Sequence, residues 1–246
     1  MRLTAVVTGA GSAIGSAIAE ALARDGYHVV LAGRTEATLE QAHSRVHDVG
    51  GESTVLVGDI TESDWTQRLL ALGPIGIYVG SASAHPPYGR VDQVTDNDLR
   101  QALEVGLVAV LRHVRAVLPG MREAGWGRIV TLGSHGARSG ARGLAAYTTA
   151  KAGLAGLVRT IAAESGAHGI TANLVEVGFV DTPRTRASVR AEVAARLVAH
   201  TAVARAGTPA EIAAVVRFLA SPEASFVTGA TIPVTGGLHI GLMPRS

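Results

Sequence analysis

Two side chains one helical turn apart are the first chemically suggestive feature of this sequence: Tyr147 and Lys151, in the run Tyr147-Thr148-Thr149-Ala150-Lys151. Residues four apart on a helix share a face, so the phenol and the ammonium can act on one site. A phenol titrates near 10 in water, and moving it about three units toward neutrality takes roughly 4 kcal/mol of preferential phenolate stabilisation. A neighbouring ammonium is a source of that stabilisation. Ser134, thirteen residues before Tyr147 at the end of an apolar run, offers a hydroxyl to a substrate oxygen. Together these groups suit proton exchange with a carbon-bound oxygen. In isolation, a Tyr and a Lys at this spacing are usually an ordinary helix face.

Their company argues otherwise. Thr8-Gly9-Ala10-Gly11-Ser12-Ala13-Ile14-Gly15 follows the first apolar run and opens the first helical stretch. Small residues there let the backbone approach a pyrophosphate, to which a helix N-terminus presents free N–H groups. The second strand ends in Leu31-Ala32-Gly33-Arg34-Thr35. A site selecting NAD would place a carboxylate here for the ribose 2′-hydroxyl, whereas Gly33 leaves room and Arg34 offers a guanidinium to a 2′-phosphate, which predicts NADP(H). The alternative is a solvated Arg at a helix start. Asp59, after the third strand, is placed either to accept from an adenine amino group or to form a turn before the next helix.

The elements that must position these residues alternate regularly. Strands are predicted at Leu3–Val7, Tyr27–Ala32, Thr54–Val57, Ile75–Val79, Arg128–Leu132, Ile170–Val175 and Thr231–Val234. Most are continuous apolar runs, as expected of parallel strands covered on both faces. Helical spacing marks Ile14–Arg24, Glu36–Val49, Glu62–Leu72, Asp96–Arg122, Ala145–Ser165 and Pro209–Leu219. Thr208, Pro209 and Glu211 form a clear start signal for the last of these. The pattern implies an α/β fold, a Rossmann-type doubly wound parallel sheet of about seven strands with helices on both faces, and a ligand crevice beyond the strand carboxyl ends. No linker or repeat divides the chain, so residues 1–246 are expected to form one domain. Residues 178–206, polar and Arg-containing, break the rhythm and read as a substrate lid.

Composition narrows the function classes. The 246 residues carry 22 Lys and Arg against 20 Asp and Glu, a formal charge of +2, with 47% apolar and 17% charged residues. That balance provides no basic face for phosphate contacts and argues against nucleic-acid binding and disorder. The absence of cysteine removes disulfides, thiolate metal sites and cysteine nucleophiles, and fits a cytoplasmic protein. The opening apolar run is interrupted at Thr8, Gly9 and Gly11, so no secretory signal is expected, and no run approaches the roughly 18 residues of a membrane span. Ser134 lacks the glycine two places before it that a hydrolase nucleophile elbow requires. His43 and His47 lie four apart with no third ligand, so no metal is expected. His85 and His135 fall near strand ends and read as pocket-lining or simply polar loop residues.

Over essentially its whole length the chain resembles the short-chain dehydrogenase/reductase family. The Gly-rich turn, the Ser thirteen before the Tyr and the YxxxK pair match, as do Asn173, the run Gly178–Thr182, Thr228-Gly229 and Gly236-Gly237. The resemblance implies that Tyr147 is the acid/base, that Lys151 holds the nicotinamide ribose and lowers the tyrosine pKa, and that Ser134 orients a carbonyl. It implies an NADP(H)-dependent exchange of hydride with a ketone or secondary alcohol. The cofactor would lie along Gly9, Gly11, Ser12, Ala13, Ile14 and Gly15, with Arg34, Thr35, Asp59 and Ile60 at its adenosine end. Ser81, Ala82, Gly178, Val180 and Thr182 would complete the contacts, the last two at the carboxamide. The resemblance also implies a homotetramer packed through the fourth and fifth helices.

Three positions depart from the family. Gly80-Ser81-Ala82-Ser83 replaces NNAG after the fourth strand, Gly106 stands where a catalytic Asn is usual, and Val177 replaces the Pro before Gly178. Glycine weakens helix geometry, and the exposed carbonyl of Gly106 is expected to keep a proton-relay water site that the Asn otherwise maintains. The segment Arg205–Pro209 resembles 3-oxoacyl-acyl-carrier-protein reductases; Arg128 matches a position those enzymes use for the carrier, while His168 replaces a second Arg. Arg184, Arg186, Arg190 and Arg196 in the lid either greet an anionic substrate or keep the segment soluble. Two rival readings are a cofactor-binding sensor with weak turnover and a lyase resembling halohydrin dehalogenases. The intact Tyr147, Lys151 and Ser134 oppose the first, and Lys151 with Gly9–Gly15 opposes the second.

Overall fold

The computed structural model describes residues 3–238 and Ile240; Met1, Arg2, His239 and residues 241–246, which the expected domain 1–246 includes, lie outside the described residues. Apolar runs without polar alternation cannot face water on either side, and here they become strands with helices on both faces. The first half runs β1 (Thr4–Thr8), α1 (Ala13–Arg24), β2 (His28–Gly33), α2 (Glu36–Asp48), β3 (Glu52–Val57), α3 (Trp65–Leu70), β4 (Ile75–Gly80), α4 (Asp96–Leu103) and α5 (Ala109–Glu123). The second runs β5 (Gly127–Ser134), α6 (His135–Ser139), α7 (Ala145–Ser165), β6 (Ile170–Val177), α8 (Pro183–Ser188), α9 (Ala191–Ala199), α10 (Pro209–Ala220) and β7 (Thr231–Val234).

The strands form one parallel sheet of seven in the order β3-β2-β1-β4-β5-β6-β7. The chain winds outward from β1, returns to its other side at β4 and winds out again, so the crevice between β1 and β4 opens at their carboxyl ends. Two apolar layers hold the helices on. On one face Ile18 and Leu22 of α1, Leu39 of α2 and Val216 of α10 pack on Val7, Leu31 and Val130. On the other, Leu69 of α3, Val114 of α5 and Leu154 of α7 pack on Val6, Tyr78 and Ile129. Edge strand β7 accommodates Pro233, which an interior strand would exclude.

Local capping agrees with the sequence at the last helix, where Thr208 Oγ1 accepts from Glu211 N at 3.3 Å and Glu211 Oε2 accepts from Thr208 N at 2.8 Å. The same grammar repeats inside the expected lid. Thr182 caps α8 with Pro183 at its first position, so 178–206 contains two helices, α8 and α9. The helix predicted over Asp96–Arg122 is interrupted: a π-helical turn at Glu104–Val108 separates α4 from α5. Gly106 is buried at its centre, where an added Cβ would come 3.2 Å from Ala150 Cβ of α7. A missing side chain and the close approach of α7 both favour the irregular turn. The helix predicted at Glu62–Leu72 is confined to α3, and α6 was not foreseen. Among the described residues no helix is long and apolar enough to cross a membrane.

Candidate functional site

A cavity of 910 Å³ crosses the carboxyl ends of β1 and β4. At one end lies the β1–α1 turn. Gly9 has φ +70°, and a Cβ on it would sit 2.9 Å from Ala82 Cα, so only glycine lets this turn approach the end of β4. Ser12 caps α1, its Oγ accepting from Gly15 N at 3.0 Å. Gly9, Gly11 and Ser12–Ile14 line the cavity. Gly15 does not. A Cβ there would lie 2.2 Å from Gly9 O, so its smallness serves the packing of turn against helix rather than the lining.

The end of β4 is braced without the Asn that the resemblance leads one to expect. Thr8 Oγ1 donates to Val79 O at 3.3 Å and accepts from Ser81 N and Ala82 N at 3.1 and 3.2 Å. A hydroxyl of β1 thus joins the two strands across the switch point and presents Ser81 and Ala82 to the cavity. Beneath them, His113 of α5 is fully buried, with Nε2 3.0 Å from Ile60 O and Nδ1 2.9 Å from Tyr78 Oη. A carbonyl only accepts, so Nε2 carries the proton and Nδ1 accepts from the phenol. Burial pushes the His113 pKa down to about 4, which keeps the ring neutral. This neutral pair holds Ile60 on the cavity wall, a support that sequence reasoning missed because a His on an apolar helix face carries no signal of its partner.

Arg34 and Thr35 also line this end. The Arg34 side chain is 74% exposed and its Nη1 lies 3.9 Å from Asp59 Oδ2, leaving the guanidinium open to a further anion. Burial alone would raise the Asp59 pKa, but hydrogen bonds from Thr61 N and Oγ1 and the charge of Arg34 hold it below the usual range. One Asp59 oxygen is therefore committed to the turn and the other faces the cation.

At the opposite end the strand-end Ser134, Tyr147 and Lys151 come together. Ser134 caps α6 by accepting from Gly136 N at 3.3 Å. Lys151 is 4% exposed and donates from Nζ to Leu132 O at 2.7 Å, and burial lowers its pKa to about 8. Burial also pushes the Tyr147 phenol above its ordinary value, against the opposing pull of the Ser134 hydroxyl and the Arg184 charge. The expected depression by Lys151 is therefore not met in the protein chain alone. Desolvation of a phenolate outweighs the local charges, and the ammonium is turned to Leu132 O. His85 stacks on Tyr147, ring centroids 5.4 Å apart and planes 21° from parallel; its pKa is lowered to about 4 by desolvation, then by Arg184 and Lys151.

Gly178, Val180 and Thr182 close the third side, with Arg184 beside them. Thr182 Oγ1 accepts from Thr185 N at 3.1 Å, so its position is set by the capping of α8. Val177 keeps the backbone N–H that proline would lack, and β6 runs through it in register with Ser134 and Val234. Asn173 ties the connection before β7, donating to Val227 O at 2.7 Å and accepting from Ala230 N at 3.1 Å.

Several polar residues turn elsewhere. His135 faces Glu176 at 3.1 Å, with Glu176 3% exposed, and does not line the cavity as His85 does. His43 bonds Ser53 Oγ at 2.8 Å rather than standing free on its helix. Arg128 is 2% exposed: it donates to Ser221 O, Gly127 O and Gly169 O and stacks on Trp126. It braces the base of the sheet and offers no basic surface to a carrier. Among the described residues no group of three His, Cys, Asp or Glu is placed to hold a metal ion.

A long crevice over the switch point of a doubly wound sheet, cationic with a Gly-rich helix start at one end and a half-buried phenol beside a buried amine at the other, defines the class: a Rossmann-type oxidoreductase. Comparison with known proteins carries this to a family. The family model described as Enoyl-(Acyl carrier protein) reductase matches residues 9–239. The 3-oxoacyl-[acyl-carrier-protein] reductase FabG of Pseudomonas aeruginosa is 37% identical over 241 residues, covering 96% of this chain and 97% of the relative. The acetoacetyl-CoA reductase of Cupriavidus necator is 33% identical over 243 residues, covering 96% and 98%. A crystal structure of 3-oxoacyl (acyl-carrier-protein) reductase from Agrobacterium tumefaciens C58 with NADP bound superposes with a TM-score of 0.90 at 34% identity, covering 96% of this chain and 93% of that one. The chain belongs to the short-chain dehydrogenase/reductase family of oxidoreductases.

Proposed function

We propose that the protein is an NADP(H)-dependent reductase that converts a ketone to a secondary alcohol, or runs the reverse reaction, on a small-molecule substrate. The observation that carries this reading is the joint placement of Ser134, Tyr147 and Lys151 at one end of a cavity whose other end holds Arg34 beside the Gly9–Ile14 turn. The residues fit the dinucleotide: Gly9 excludes any Cβ where the turn meets Ala82, and the Arg34 guanidinium is open to a 2′-phosphate. NADPH, when bound, supplies the hydride. The solved relative with NADP bound supports the choice of cofactor, and the relatives named for acetoacetyl-CoA and 3-oxoacyl carrier substrates support a ketone.

The protein's own residues manage the oxygen and its proton. Ser134 donates to the substrate oxygen and Tyr147 gives it a proton in the reductive direction. Lys151, held by Leu132 O, places a positive charge near the tyrosine and a donor at the nicotinamide ribose. In this reading the Gly106 carbonyl, within the π-helical turn, keeps the water site through which Tyr147 is reprotonated. Residues 178–206 act as the lid that excludes water over the substrate. We place the protein in the cytoplasm, in keeping with its lack of cysteine. We also propose a homotetramer, since Val108 and Leu111 leave 38% and 47% of their surface exposed on the joined α4–α5 unit.

The test follows NADPH and NADH oxidation with a panel of ketones, neutral and acidic. Turnover with NADPH that falls at least about a hundredfold in Tyr147→Phe, with NADPH affinity retained, supports the reading. Normal turnover in that variant refutes the mechanism, and equal rates with NADH refute the cofactor assignment to Arg34.

A further inference from the structure

We infer that Arg184 is a substrate-binding residue, and that the protein prefers ketones bearing a carboxylate near the carbonyl over neutral ketones of the same shape. The inference rests on the reductase reading above and names the substrate class of that site.

Arg184 is the second residue of α8 and lines the cavity with Ser134, Tyr147 and His85. Its charge acts on both the Tyr147 phenol and the His85 ring, which places the guanidinium at the proton-donating end of the crevice. Of the other arginines in residues 178–206, Arg186 and Arg205 are neutralised within the fold, and Arg190 and Arg196 do not line the cavity. Arg186 grips Asp181 through Nε and Nη2 at 2.7 and 2.8 Å, and Arg205 holds Glu211. Arg184 has no ion-pair partner among the described residues. The neighbouring carboxylates are taken: Asp181 by Arg186, and Glu176, 3% exposed, by His135.

The lining of the cavity reinforces the point. Among the described residues its one carboxylate is Asp59, at the far end beside Arg34. Around Tyr147 the lining instead carries Lys151 and Arg184, with His85 neutral between them. When the crevice closes over a neutral substrate, an unpaired guanidinium loses water and gains no counter-ion, which is unfavourable. A carboxylate reverses the balance, since it accepts two parallel N–H bonds from one guanidinium. The nicotinamide cofactor has its own anion sites at the Gly9–Ile14 turn and Arg34, so Arg184 remains for the substrate. The geometric demand is that the carboxylate reach Arg184 while the ketone oxygen meets Ser134 and Tyr147, which suits a short oxo acid.

The experiment compares acetoacetate with ethyl acetoacetate, and a short series of other oxo acids with their esters, using NADPH and the full chain. Wild type should favour each acid over its ester. Arg184→Gln should lose roughly ten- to a hundredfold in kcat/KM for the acid, mainly through KM, and about tenfold less than that for the ester, whose smaller loss reflects the charge withdrawn from beside Tyr147, with the NADPH dissociation constant retained. Arg184→Lys should recover part of the loss, because it restores charge without the planar fork. An ester preferred by wild type, or acid and ester falling together in Arg184→Gln, overturns the inference and leaves the reductase reading standing. A weakened NADPH affinity in that variant, read from the fluorescence of the bound nucleotide, also overturns it by assigning Arg184 to the cofactor. Absence of turnover with every ketone refutes the reductase reading itself, and this inference with it.

Discussion

His113 couples the core to the Arg34 end of the crevice, and its titration should be visible as stability. The ring is fully buried, its centroid 4.2 Å from that of Trp65 with the planes tilted by 38°, and as a neutral ring it donates to Ile60 O and accepts from Tyr78 Oη. Its folded pKa of about 4 lies below the ordinary 6.5, with desolvation the largest cause. A histidine depressed in the folded state contributes stability that is complete above its unfolded pKa and is lost as pH falls toward the folded one. Between about pH 7.5 and about pH 5 the unfolded ring gains most of a proton while the folded ring gains almost none, a loss of about 2 kcal/mol. His85 shifts the same way, so the measurement must isolate one ring. Urea unfolding of wild type and His113→Gln at both pH values does so, because His85 is common to both. At about pH 7.5 the variant should be less stable by about 2 kcal/mol through its broken bonds, and that gap should close almost completely at about pH 5. A gap that stays constant would show that His113 titrates normally and that the buried neutral pair is not the support of Ile60.

Two further outcomes follow from the geometry. Gly15→Ala drives a Cβ to 2.2 Å from Gly9 O, a backbone atom that cannot step aside, and should cost about 1–3 kcal/mol together with a weakened NADPH affinity. The control Gly120→Ala, on an exposed stretch of α5 with nothing within 4 Å of the new Cβ, should be neutral or stabilising by about 0.5–1 kcal/mol, both read by thermal unfolding. The pH profile of kcat/KM should fall on its alkaline side through about 8 as buried Lys151 loses its charge, and Lys151→Arg should move that limb upward by more than one unit in about the way a higher intrinsic pKa requires. An alkaline limb unmoved in Lys151→Arg would assign it to another group.

The alternation of strands and helices, the parallel sheet and its switch point were legible because apolar runs buried on both faces leave no other architecture open to them. The start of the last helix was legible because a capping hydroxyl preceded proline at Thr208-Pro209. The same pair at Thr182-Pro183 went unread because the polar composition around it masked two short helices. The break at Glu104–Val108 was announced by Gly106 only as a weakness; its form depended on the approach of Ala150 from α7.

By itself the sequence determined what spacing along one element determines: that Tyr147 and Lys151 share a face, that a Gly-rich turn opens the first helix, and that a guanidinium, Arg34, follows the second strand. Tertiary structure decided everything that depends on partners far away in the chain. Thr8 replaces an absent Asn by reaching Val79, Ser81 and Ala82, and Arg128 is consumed by the carbonyls of Gly127, Gly169 and Ser221. His135 is drawn to Glu176 while Arg184 is left unpaired beside Tyr147. The physical reason is common to all four: hydrogen bonds and desolvation act over a few ångströms of space, and only the folded chain says which groups are that close.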